Sequence, residues 1–210
     1  MMILSNSPRI LSDFNRIAII GCPGSGKSTL ARQIAAQTGH PLIHMDEVYW
    51  AGTIEPYDVI LARHKQLTQG ERWIIDEHFL GTMQQLFTTA GLVIFLEFPK
   101  WLCLWRAIRR YRNNRFNALP RTLSAARMHI KRCVFYKYYP KLVIFSLHER
   151  YYSLLDRYIL PDHVRVMILQ FRKQVKPSIL ALHKAHPEVE FLRLRSRRAV
   201  KEFLKRSDCL

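Results

Sequence analysis

The sequence predicts an α/β fold, a five-stranded parallel sheet with helices on both faces. Three observations carry that expectation. Apolar runs of strand length alternate with stretches of helical periodicity. Glycines, prolines and short polar breaks separate them. Residues 21–28 read GCPGSGKS and sit between the first such run and the first such stretch. Strand–helix–strand alternation implies crossover helices and a three-layer sandwich. With 210 residues the chain is expected to form one domain over 1–210, large enough to bury a core without disulfide or metal support.

The elements follow in order. Ile17–Ile20 reads as the first strand and Lys27–Thr38 as the helix after the glycine-rich turn. Leu42–Met45 reads as a strand, Tyr57–Gln69 as a helix, and Trp73–Ile75 and Leu92–Leu96 as two further strands. Pro99, suited to a first helical turn, opens a basic helix with an apolar stripe of Trp101, Leu102, Trp105 and Ile108. Trp101 and Trp105, spaced i, i+4, are expected to anchor that helix in the core. Asn113–Pro120 breaks it, and Thr122–Tyr139 reads as a second basic helix. Lys176–Ala185 reads as a helix, Glu190–Leu194 as the last strand and Arg197–Lys205 as the final helix. Residues 113–170 read as a mainly helical, basic insert in this core, either a mobile lid or a permanently docked subdomain.

Charge is distributed unevenly. The net charge is +17, yet residues 1–99 hold 7 Lys+Arg against 9 Asp+Glu, while residues 100–157 hold 14 against 2. Such a segment attracts polyphosphates or nucleic acid. No run approaches the ~20 apolar residues of a membrane span, and no long apolar segment near the N-terminus suggests a signal peptide. The four cysteines, Cys22, Cys103, Cys133 and Cys209, form no CxxC pair. Their spacing suggests neither a zinc site nor a disulfide framework and fits a reducing cytoplasm.

The run GCPGSGKS fits G-x-x-x-x-G-K-[ST] at every fixed position and has the strand before and helix after that the motif requires. Gly21, Cys22, Pro23, Gly24, Ser25, Gly26, Lys27, Ser28 and Thr29 are therefore expected to hold a nucleoside triphosphate. The glycines let successive backbone N–H groups turn inward onto phosphate oxygens, and the helix N-terminus adds partial positive charge. Lys27 reaches the β- and γ-phosphates, and the Ser28 hydroxyl sits on Mg²⁺. The fold is then that of a P-loop NTPase, with ATP and Mg²⁺ as its expected ligands.

Two carboxylates follow apolar strands, and in open α/β sheets the carboxyl ends of the strands face the ligand crevice. Asp76 is expected to support Mg²⁺. Asp46, in MDEVYW, is expected to act toward an acceptor hydroxyl, with Glu47 as its rival for that role and Glu77 as a neighbouring alternative. His44 and His78 read as packing or hydrogen-bonding residues. Arg106 and Arg110, one turn apart on a helix, suit the stabilisation of charge on a transferring phosphoryl group.

These residues carry a resemblance. IAIIGCPGSGKSTLAR, HMDEVYW, WIIDEHFLGTM, IFLEFPKWLCLWRAIRR and LRLRSRRAVKEFL resemble DNA topology modulation (FlaR-related) proteins, P-loop kinases similar to adenylate kinase and shikimate kinase. The resemblance covers residues 16–115 and about 176–206. It implies lid arginines at Arg106 and Arg110, an acceptor-side acid at Asp46, and an adenine-holding segment at Arg195 and Arg197. The expected activity is ATP-dependent phosphoryl transfer to an unidentified small-molecule acceptor. Two rivals stay open: a nucleic-acid-binding NTPase using the basic, aromatic-rich 100–157 region, and an interaction protein that keeps the loop without turnover.

Overall fold

The computed structural model describes residues 11–49, 57–78, 80–116 and 162–208. Five strands form one sheet: β1 (Arg16–Gly21), β2 (Leu42–His44), β3 (Trp73–Glu77), β4 (Leu92–Leu96) and β5 (Glu190–Leu194). All pairings are parallel, in the order β2-β3-β1-β4-β5. The helices are α1 (Lys27–Thr38), α2 (Met45–Tyr49), α3 (Tyr57–Thr68), α4 (Leu80–Thr89), α5 (Lys100–Phe116), α6 (Asp162–Ala185) and α7 (Arg197–Asp208). This is the α/β sandwich that the alternating pattern predicts.

The central strands are apolar on both faces because helices cover both. Ile17, Ile19, Ile20, Ile74, Ile75, Val93, Ile94 and Phe95 are fully buried. Chain order and sheet order diverge at β1. The chain leaves it for β2 and β3 on one side, then crosses to β4 and β5 on the other. A crevice opens at the carboxyl ends of strands at such a switch point. The loop after β1 lies there, with β3 and β4 as its immediate neighbours.

Several elements depart from the sequence reading. Strand β2 ends at His44, and Met45 begins the short helix α2, which places Asp46 in a first helical turn. Strand β3 runs on through Asp76 and Glu77. Helix α6 begins at Asp162 and passes through Pro177, so the helix expected to start at Lys176 is its second half. Residues 113–116 lie in α5 and 162–170 in α6; the rest of the expected insert, including the Thr122–Tyr139 helix, lies outside the described residues.

Trp101 and Trp105 are not core anchors. They are 67% and 51% exposed, and the Arg109 guanidinium lies 5.5 Å from the Trp105 ring centroid. The buried face of α5 carries Cys103 and Ala107 instead. The cause is the closeness of the loop after β1: a Cβ at Gly24 would stand 2.2 Å from the Cys103 carbonyl oxygen. Backbones that near need small side chains between them, and the indoles turn outward.

Candidate active site

The nine residues expected to bind phosphate lie in one strand–loop–helix unit, from Gly21 at the end of β1 to Thr29 in α1. The backbone turns at Cys22, whose carbonyl accepts the Ser25 N–H at 3.0 Å. Gly24 has φ +80° and Gly26 φ +101°, both in the left-handed region that a side chain disfavours. The Gly26 carbonyl accepts from the Thr29 and Leu30 amides at 3.1 and 3.0 Å, which closes the first turn of α1. The positive end of that helix therefore points into the loop.

Lys27 is only 9% exposed, and its Nζ donates to the Cys22 carbonyl at 3.4 Å. The ammonium thus rests on the loop's own backbone, inside the concavity an anion would fill. Among the described residues, the Ser25 hydroxyl is buried with no hydrogen-bond partner. A buried orphan hydroxyl is costly unless something completes it, and a phosphate oxygen in the loop is a fitting partner.

Both acids expected at the strand ends are present, each paired with a histidine. Asp76, buried near the carboxyl end of β3, accepts from His44 Nδ1 at 3.0 Å. Asp46 lies 3.1 Å from His78 Nδ1 and is 59% exposed at its side chain. His44 and His78 are thus hydrogen-bonding residues that tie β2 and α2 to β3. Glu77 is turned away from this cleft: one oxygen accepts from the His78 amide at 2.9 Å and the other from the Thr82 hydroxyl at 3.1 Å. It fixes the start of α4. Glu47 is exposed.

Of the arginines, Arg106 reaches the loop. Arg106 Nη1 donates to the Ser25 carbonyl at 3.0 Å, and its guanidinium lies 5.1 Å from the Phe98 ring centroid. Burial lowers the Arg106 pKa, and the neighbouring charge of Arg197 lowers it further. The two cations, from α5 and α7, therefore stand close enough to repel, an arrangement an anion between them would relieve. Arg110 lies one turn further along α5, exposed, with no hydrogen bond or ion pair to a described residue.

The sequence reading missed Glu97, the residue after β4. Its carboxylate takes Lys176 of α6 at 2.5 Å, Arg193 of β5 at 2.6 Å and Arg195 at 3.3 Å. Burial pushes this carboxyl up, but the Arg193 and Lys176 hydrogen bonds outweigh burial and hold it below the usual range. Arg195, 56% exposed at its side chain, is held beside the carboxyl end of the sheet by that bond. The signal was the one used for Asp46 and Asp76, an acid following an apolar strand.

No protein-family model and no curated protein matches the sequence. Solved structures do. A shikimate kinase from Acinetobacter baumannii, in complex with shikimate, aligns over 93% of this chain and 91% of its own, with TM-score 0.52 and 13% identity. A shikimate kinase from Bacteroides thetaiotaomicron covers 92% and 96% at TM-score 0.48 and 14% identity. A gluconokinase from Sinorhizobium meliloti 1021 covers 95% and 91% at TM-score 0.46 and 14% identity. The chain shares the α/β P-loop fold of the first of these, the Acinetobacter baumannii enzyme. The resemblance to DNA topology modulation proteins gains no support from these structures, and neither does nucleic-acid binding. Among the described residues, no helix is long and apolar enough to cross a membrane.

Proposed function

We propose that this protein is an ATP-dependent phosphotransferase that moves the γ-phosphoryl group of ATP to a hydroxyl of a small-molecule acceptor. The observation that carries the reading is the loop itself. Lys27 is buried in its concavity, the Ser25 hydroxyl is orphaned beneath it, and Arg106 reaches it from α5. The P-loop kinase fold supports the same reading.

The chain's groups divide the work. The loop amides and the N-terminus of α1 bind the phosphates, and Lys27 moves from the Cys22 carbonyl to the phosphate oxygens. Arg106 and Arg197 face the charge that spreads over the transferring group. Asp46, with His78 holding its carboxylate, orients the acceptor hydroxyl and takes its proton. Arg195 and Arg197 flank the nucleoside. The chain offers Mg²⁺ the donors it favours, a hydroxyl at Ser28 and a carboxylate at Asp76; a cation with few protein ligands needs no larger cluster, since phosphates and water complete its shell. When bound, it would neutralise charge on the β- and γ-phosphates.

Binding of Mg-ATP by wild type and by Lys27→Ala, followed by a screen of nucleosides, sugars and hydroxy acids with γ-labelled ATP, tests the reading. Label is expected on an acceptor with the wild type and not with the variant. Equal Mg-ATP affinity in both proteins would overturn it.

A further inference from the structure

Cys22 and Cys103 are 81 positions apart in the chain and touch in the fold. Cys22 is the second residue of the phosphate loop and Cys103 lies in the first turn of α5; they are 4% and 0% exposed. Both are free, buried thiols where the phosphate loop packs on α5, and each is the main electrostatic influence on the other. The backbones approach as closely as the side chains do, because Gly24 presses on the Cys103 carbonyl.

We propose that Cys22 and Cys103 form an oxidation site: hydrogen peroxide converts the pair to a disulfide that staples the phosphate loop to α5 and abolishes nucleotide binding. The loss of nucleotide binding rests on the function proposed above; the cross-link does not.

The pair is electrostatically asymmetric. The neighbouring Cys22 thiol, together with the charges of Arg106 and Lys27, holds the Cys103 thiol below its ordinary range against the effect of burial. The Cys103 thiol and burial push Cys22 up. Cys103 is therefore the sulfur that ionises more readily and acts as the nucleophile. The Cys103 thiolate attacks one peroxide oxygen, the O–O bond breaks, and hydroxide leaves as water after taking a proton, which gives a sulfenic acid. The Cys22 sulfur then attacks the Cys103 sulfur. The S–O bond breaks, and its hydroxide leaves as a second water with the Cys22 proton. Two thiols lose two electrons and two hydrogens, and one peroxide becomes two waters. Burial favours an oxidant this small over a bulky disulfide.

The cost falls on the loop. Two free thiols must close to the S–S bonding distance, and α5 has no room to give, with its Cys103 carbonyl already against Gly24. Cys22 must move. Its carbonyl carries both the Ser25 amide and Lys27 Nζ, so its displacement disturbs the turn and the ammonium together.

The full chain with Cys133→Ser and Cys209→Ser, which leaves only this pair, is treated with hydrogen peroxide. Intact mass, non-reducing tryptic peptides and Mg-ATP affinity are measured before treatment, after it, and after added dithiothreitol. The expected result is a loss of two hydrogens, one cross-linked peptide pair holding Cys22 and Cys103, and Mg-ATP affinity weaker by about tenfold or more, restored by dithiothreitol. Cys103→Ala in the same background is expected to keep its own pre-treatment affinity after peroxide. Oxygen addition at either sulfur in place of the cross-link would overturn the proposal, as would a cross-link that leaves affinity unchanged. If the reduced protein binds no Mg-ATP while the cross-link forms, the proposed function fails and the oxidation site stands.

Discussion

Arg106 donates to the Ser25 carbonyl at 3.0 Å, so a charge from α5 is fixed on the backbone of the phosphate loop. The bond leaves the rest of the guanidinium's fork available, and Phe98 supports its face. Arg106→Ala removes the charge and the tie together; Arg106→Lys keeps a charge but not the planar fork. Phosphoryl transfer is expected to fall about a hundredfold in Arg106→Ala, with only partial recovery in Arg106→Lys. Steady-state kinetics with an identified acceptor check this.

Gly24 has the least spatial latitude in the loop. Its φ of +80° disfavours any side chain, and a Cβ would collide with the Cys103 carbonyl at 2.2 Å. Gly24→Ala is expected to destabilise the fold by about 3 kcal/mol, the sum of a left-handed backbone and an overpacked contact. Denaturant unfolding measures that loss, and Mg-ATP titration should show the variant's loop no longer binds. Gly39 is the control, because its φ is +68° but nothing lies within 4 Å of its Cβ position; Gly39→Ala should cost only the backbone penalty and leave binding intact.

The sheet was legible because each strand is a short apolar run between breaks, and the loop because its motif has fixed glycines and a fixed lysine. Helix α5 shows where periodicity stops. Trp101, Leu102, Trp105 and Ile108 make a convincing stripe, but the neighbour's backbone selects the small face, Cys103 and Ala107, and no property of the helix alone reveals a neighbour. The helix read over Lys176–Ala185 is only the second half of α6, which carries Pro177 internally, with the Ser178 Oγ donating to the Gln174 carbonyl at 3.3 Å. The His44–Asp76 pair joins β2 to β3 and the His78–Asp46 pair joins the end of β3 to α2, and both depend on sheet order, which a single sequence does not state.

Glu97 collects three cations, so its loss is felt in three elements. Glu97→Gln is expected to destabilise the protein by about 2 kcal/mol at neutral pH, because the partly buried Lys176 and Arg193 and the exposed Arg195 lose their common counter-charge. The pH dependence has a definite sign. Arg193 and Lys176 hold the folded carboxyl below its ordinary value of 4.5. The stabilisation is therefore present above that value and is lost as pH falls below it and through the lower folded value. Unfolding curves for wild type and Glu97→Gln should converge in that acid range and separate above it.

Asp46 and His78 separate chemistry from nucleotide binding. Their 3.1 Å contact joins α2 to the end of β3. Asp46→Asn removes the proton acceptor, and kcat is expected to drop about 10²–10⁴-fold while Mg-ATP affinity stays near wild type. His78→Asn acts through Asp46 as a positioning change, so its loss in kcat should be smaller and should shrink further in the Asp46→Asn background. A double-mutant cycle on kcat measures that coupling; independent, multiplicative losses would show that the pair does not act together.

His64 is fully buried between α3 and α4, and its tautomer follows from its partners. Gln85 donates through Nε2 to the Thr68 hydroxyl at 3.1 Å, which leaves Gln85 Oε1 as an acceptor 3.1 Å from His64 Nδ1. Nδ1 therefore carries the hydrogen. Nε2 is buried with no hydrogen-bond partner, 3.9 Å from a Glu77 oxygen that already accepts from Thr82. Burial pushes the imidazole below its ordinary 6.5, and the Gln85 bond offsets part of that shift. The unfolded chain thus takes up a proton near pH 6.5 that the folded chain refuses until lower pH. Stability is expected to fall as pH drops below about 6.5, by at most about 1.4 kcal/mol per pH unit for one proton. His64→Gln keeps an amide in the Gln85–Thr68 chain and cannot be protonated, so its unfolding free energy should fall less steeply over the same window. His183, pushed the same way by burial, keeps a residual slope in the variant. Chemical denaturation at several pH values between 5 and 7.5 compares the two slopes, and equal slopes would show that His64 binds its proton alike in the folded and unfolded chains.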